Sequence, residues 1–190
     1  MISVLSGLLG IKLMTTINLQ ELNDGIQELT LAVCGYLAEA ASVCLEDQNH
    51  GLRTDMIIDG DYSSTANVTR LPVTDLMKRS HNDEHKATEN GACGVAILLL
   101  KQLTGYTVID QSRRGTGFDY WLGYKDADPF ENAARLEVSG IRNGSKSDLA
   151  RRMNIKMNQI KKSNRNLPAY VVVVEFGAPI SRIVQRKVSS

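Results

Sequence analysis

The sequence predicts an α/β fold, a central mixed β-sheet flanked by helices with an N-terminal helical extension, on three observations. Apolar residues recur every three or four positions in 17–50 and again in 82–105, the period of helices that pack by one face. The period then shortens, and "YTVIDQS", "GFDYWLGY" and "ARLEVSGI" follow as β-prone runs separated by Gly, Asp and Asn. Further on, "AYVVVVEF" carries four consecutive valines, as a strand buried on both faces requires.

A chain of 190 residues can build one domain with a full core. It is expected to form a single globular unit, with residues 1–83 (a helix, irregular chain and short strands) packed on an α/β core of residues 84–190. An apolar fraction of 43% and a charged fraction of 23% argue against a disordered chain and against a membrane protein. With 22 basic and 21 acidic residues the net charge selects neither for nor against nucleic acid, because a phosphate backbone responds to local patches. Cys34, Cys44 and Cys93 lack the paired short spacings of a structural zinc site, so a reduced, cytoplasmic protein is expected. The opening "MISVLSGLLGIKLM" is too short for a membrane span and lacks the flanks of a leader; it is expected to be a packed or disordered lead-in, with Met14 an alternative start.

The first helix is expected over 17–50, with Leu22, Ile26, Leu29, Val33, Leu37, Ala40 and Cys44 as its apolar stripe, although Gly25 and Gly35 weigh against one unbroken helix. That stripe could serve a homodimer or a protein partner, or simply cover the sheet. Turn residues surround "MII" and "ANVTRLPV", so one or two short strands follow. "DGDYSS" is a solvated turn, since its Gly is misplaced for a calcium loop and no glutamate closes it. The helix over 82–105 opens on acidic residues and closes on Lys101 and Gly105, and its "GACGVA" would let helix and sheet approach closely. After the three strands, "SKSDLARRMNIKMNQIKKS" forms a helix capped by Ser145 or Ser147, and "AYVVVVEF" closes the sheet. From residue 84 the order is therefore helix, three-stranded meander, helix, strand.

Three carboxylates fall where these elements converge. In "GTGFDYWLG", alternation places Phe118, Tyr120 and Leu122 on one face and Asp119 on the other. In "ARLEVSG", Leu136 and Val138 point into one layer while Arg135, Glu137 and Ser139 point the other way. Glu137 is then either on a solvated edge or part of a metal site. Paired strands would bring Asp119 and Glu137 together, and two adjacent carboxylates suit a proton or a hard cation such as magnesium or manganese. Glu89 extends the helical stripe of Ala92, Cys93, Ala96, Leu100 and Leu103 and could join them.

Over roughly residues 84–178 these residues resemble the PD-(D/E)xK, or restriction endonuclease-like, nuclease superfamily. The resemblance implies a restriction endonuclease-like core, with Asp119 on the second strand, Glu137 on the third and Glu89 as the helical acid. It further implies Mg2+ or Mn2+ held by Glu89, Asp119, Glu137 and the Val138 carbonyl, and hydrolysis of phosphodiester bonds, in DNA rather than RNA, by an endonuclease or exonuclease. One position departs: Ser139 stands where the family has lysine. A hydroxyl can position a water or a phosphate oxygen but lends no positive charge. Leu149, Met153, Lys156 and Ile160 share one stripe of the next helix, so Lys156 sits among apolar side chains and must snorkel or find an acid; it is the substitute expected here. Gln159 and Lys125 are further candidates. Arg113, Arg114, Arg151, Arg152, Lys161 and Lys162 are candidate phosphate contacts.

Two other functions compete. A nuclease-like module impaired by Ser139 could bind nucleic acid or a protein without cutting. Cys93, read as lying near a helix start, loosely resembles the nucleophile of papain-like cysteine peptidases; those draw their histidine from later in the chain, whereas His50, His81 and His85 all precede Cys93.

Overall fold

In a computed structural model of the chain the described residues are 15–26, 28–124, 134–161, 163 and 166–188. The lead-in with Met14, and Lys125 and Lys162, lie outside them. The elements are β1 (Thr15–Asn18), α1 (Gln20–Asn23), α2 (Leu31–Asp47), β2 (Arg53–Gly60), β3 (Ser64–Thr69), α3 (Asp75–Ser80), α4 (Glu84–Thr104), β4 (Tyr106–Gln111), β5 (Tyr120–Tyr124), β6 (Ala134–Ile141), α5 (Lys146–Ile160), β7 (Ala169–Glu175) and β8 (Ile180–Arg186).

From residue 84 the elements follow the expected order. Asp83 caps α4 by accepting from the Lys86 N–H, and Ser145 caps α5 in a reciprocal box with Asp148. β4, β5 and β6 form an antiparallel meander, and α5 carries the chain over to β7, parallel to β6. The valines of β7 are buried on both sides. Val171 and Val173 join Leu149, Met153 and Ile160 of α5, while Val172 and Val174 join the larger cluster containing α4.

Residues 15–83 do more than extend this core. The sheet has eight strands in the order β1-β3-β2-β8-β7-β6-β5-β4, so β1, β2 and β3 continue it through β8. α4 packs against β6 and β7 and also against β4 and β1, the two edge strands, so the sheet curls around it. Within "DGDYSS" residues 61–63 form the turn between β2 and β3, the flanking residues belonging to the strands, and Asp61 accepts from the Gln185 N–H of β8 at 2.6 Å.

Three expectations are corrected. The single helix over 17–50 is broken: β1 and α1 precede a turn in which Gly25 takes φ +99°, and α2 starts only at Leu31. Of the expected stripe, Leu22, Ile26, Leu37, Ala40 and Cys44 are buried and Leu29 packs against the core, while Val33 is exposed and Cys34, Ala38, Ala41 and Leu45 join the buried face. This stripe packs on α4 within the chain. The glycines of "GACGVA" serve that helix pair, not the sheet. A Cβ on Gly91 would lie 2.9 Å from Ala41 Cα, and one on Gly94 3.0 Å from the Leu37 carbonyl oxygen. Finally, Phe118 leaves the face of Tyr120 and Leu122. β5 begins only at Tyr120, and Phe118 packs edge-on to Trp121 at 4.6 Å on the α5 side. No helix among the described residues is long and apolar enough to cross a membrane.

Candidate functional site

β6 meets β7 along Arg135 to Ile141, but its pairing with β5 covers only Ala134 to Leu136. In a strand the N–H and C=O of one residue point to the same side, and successive residues alternate sides. Arg135 donates toward β7 while the Leu136 carbonyl accepts from the Asp119 N–H. Val138 and Gly140 therefore turn their N–H groups into the space beyond the end of β5, where no strand answers them.

Two carboxylates do. Asp119 Oδ2 accepts from the Val138 N–H at 2.7 Å, and Glu89 Oε2 accepts from the Gly140 N–H at 3.2 Å. The Val138 carbonyl lies on this same edge between the two bonded N–H groups. Glu89 reaches it because α4 sits very close to β6: a Cβ on Gly140 would stand 2.3 Å from the Thr88 carbonyl oxygen. Asp119 reaches it because the loop before β5 turns sharply, with Gly117 at φ +83° and the Ser112 hydroxyl bonded to the Phe118 carbonyl.

Glu137 projects from the opposite face of β6, toward α5, and is only 1% exposed. A solvated edge is thereby excluded. Its Oε1 accepts from Lys156 Nζ at 2.5 Å and from Gln159 Nε2 at 3.0 Å, while its buried Oε2 has no partner among the described residues. Lys156, placed in the apolar stripe of α5, has thus found the acid that such a position demands. Even so, burial and the neighbouring Asp119 charge push the Glu137 carboxyl up to about 7. Burial raises Asp119 as well, against the opposing pull of the Val138 N–H and Lys156.

Ser139 is fully buried. Its hydroxyl donates to Glu89 Oε1 at 3.3 Å and accepts from Arg152 Nη1 at 3.3 Å, and Arg152 Nη1 is also 3.8 Å from Glu89 Oε1. Position 139 therefore links Glu89 to a guanidinium. Positive charge reaches these acids from two successive turns of α5, at Arg152 and at Lys156. Among the described residues no group of three or more His, Cys, Asp and Glu side chains is arranged to hold a metal ion. Asp119 and Glu89 occupy the edge, and Glu137, near enough to Asp119 to feel its charge, keeps an unpartnered Oε2 among the described residues.

The other candidates separate. Arg113 and Arg114 are exposed on the loop before β5, in a cleft of about 350 Å³ that also reaches Asp119 and Gln159. Arg151 is paired to Asp148 at 2.7 Å on the solvent side of α5, and Lys161 donates to Asn158 at 3.4 Å. Cys93 is not near a helix start, being in the middle of α4, and burial together with Asp119 holds its thiol well above the usual range. His50 is engaged by the Phe176 carbonyl and His81 by Glu39, so neither serves Cys93. Arg135, a strand residue whose burial was not expected, is 1% exposed; it donates to the Leu167 carbonyl at 2.7 Å and ties β6 to the chain after α5.

Comparison with models of known protein families, with curated proteins and with solved structures finds no match to this chain.

Proposed function

We propose that the chain is a metal-dependent nuclease that hydrolyses phosphodiester bonds, DNA being the favoured substrate. The observation that carries this is the unpaired edge of β6, where Asp119 and Glu89 occupy the N–H groups of Val138 and Gly140 and leave a carbonyl between them. Helix, meander, helix and parallel strand, in the order β4-β5-β6-β7, support a restriction endonuclease-like core.

Asp119, Glu137 and the Val138 carbonyl would hold Mg2+ or Mn2+, with Glu89 contributing directly or through water. The raised Asp119 and Glu137 carboxyls and the orphaned Oε2 fit that role, because a carboxylate pair that resists ionising alone is relieved by a cation. When bound, such a cation lowers the pKa of a water and offsets charge developing on the phosphate. Lys156, bonded to Glu137, orients the attacking water. Ser139 has no free hydroxyl surface for that task; it holds Glu89 and Arg152 instead. Arg152 supplies positive charge where the family places its lysine, and Arg113 and Arg114 draw the phosphate backbone to the cleft.

The non-cleaving alternative, a module that binds nucleic acid or a protein, draws on one observation: the Lys156 ammonium is already committed to Glu137. Incubation of plasmid DNA, single-stranded DNA and RNA with Mg2+ or Mn2+ decides between them. Cleavage by the natural protein, lost in Asp119→Ala and Glu137→Ala and weakened in Lys156→Ala, is the expected result. Cleavage indifferent to all three substitutions removes the site, and metal-independent binding without cleavage favours the module.

A further inference from the structure

Beside the acidic edge, the loop before β5 and the C-terminal half of α5 enclose two adjoining hollows that share Gly115, Gly117 and Gln159. Their chemistry differs. The smaller holds Arg113, Arg114 and Asp119 and suits a phosphodiester near the reacting position. The described residues that line the larger, about 500 Å³, include no ionisable side chain: they are Thr116, Ile155, Asn158, Gln159 and Ser163 with two glycines. A phosphate gains nothing from such walls.

A nucleobase does. The Thr116 and Ser163 hydroxyls already donate within the protein, to the Arg113 and Ile160 carbonyls at 2.9 Å and 2.8 Å. Gln159 uses its Nε2 on Glu137, and Asn158 its Oδ1 on Lys161. Among the described residues this leaves the Gln159 Oε1 and the Asn158 Nδ2 as one acceptor and one donor on residues that line the hollow. Paired donors and acceptors of this kind match a base edge. Ile155, 55% exposed, offers apolar surface to a base face. The volume is that of a small-ligand pocket and accommodates one nucleoside. A base stacked within a duplex cannot reach it without being extruded.

We propose that the neutral hollow binds an unstacked nucleobase beside the scissile phosphate, making single-stranded nucleic acid the substrate class; this rests on the nuclease reading above. Binding of a labelled single-stranded deoxyoligonucleotide and of its duplex is compared by fluorescence anisotropy in EDTA, for the natural protein and for Ile155→Ala/Asn158→Ala. Both substitutions are neutral and exposed, so fold and phosphate attraction persist, and a circular dichroism melt confirms the fold. The single strand should bind at least about tenfold tighter than the duplex, and the double substitution should remove that advantage. Equal binding of the two forms, or a preference untouched by the double substitution, overturns the proposal. Cleavage of plasmid through Asp119 alongside equal binding leaves hydrolysis standing and removes only the base site. Strand preference that depends on Ile155 and Asn158, with no cleavage under any metal, keeps the base site and removes hydrolysis.

Discussion

Strand β6 treats its two neighbours differently. Toward β7 the ladder runs from Arg135 to Ile141, and the packing on both faces is apolar, with all four β7 valines buried. Toward β5 the ladder stops at Leu136, and side-chain carboxylates take over the N–H groups a strand would otherwise satisfy. Backbone groups in a protein interior must find partners, so ending β5 early obliges some side chain to fill the gap. Burial, with the charge of neighbouring carboxylates adding to it, holds Asp119 and Glu137 above their ordinary range. One side of β6 is a continuous ladder in an apolar setting, and the other gathers carboxylates that Lys156 and Arg152 offset in part.

Breaking the open side should have the largest effect. Asp119→Ala removes both the acceptor for Val138 and an oxygen of the proposed cation set, and metal-dependent cleavage of single-stranded DNA should fall more than about 100-fold in initial-rate assays. Next comes proton linkage in the metal-free protein. Glu137 binds its proton more tightly folded, at about 7, than at its ordinary value of 4.5. Its contribution to stability is therefore fully present below 4.5 and is lost as pH rises through 7, a change of about 3 kcal/mol. Urea midpoints measured across that window should fall for the natural protein and fall less for Glu137→Gln; equal slopes would refute the linkage.

The closed side gives the contrast. Val172→Ala should cost about 2 kcal/mol in urea unfolding yet leave the cleavage rate per folded molecule unchanged. A smaller catalytic effect is expected at Arg152, which touches the site only through Ser139 and Glu89. Arg152→Ala should lower single-turnover cleavage about tenfold, with Arg152→Lys recovering part of it.

Much of the core was readable because local pattern and final environment agree there. The meander, a serine cap at Ser145 or Ser147 and the doubly buried β7 all follow from spacing and residue type, and so does the alternative that Lys156, set in an apolar stripe, pairs with an acid. What escaped depends on where chain segments meet. β8, "ISRIVQR", has no local signal strong enough beside the valine run, yet it joins the two halves of the sheet. Phe118 changes face because the loop turns at Gly117, whereas the mid-helix position of Cys93 already followed from a helix over 82–105. Ser139 looked like a lost lysine, and only the approach of α4 and α5 reveals it as the link between Glu89 and Arg152.

The open edge of β6 is tested most directly by calorimetric titration of Mn2+ into the metal-free natural protein and into Asp119→Ala, without nucleic acid. Saturable binding by the natural protein that is lost in the variant is the predicted result. Equal binding by both, or none by either, would contradict it.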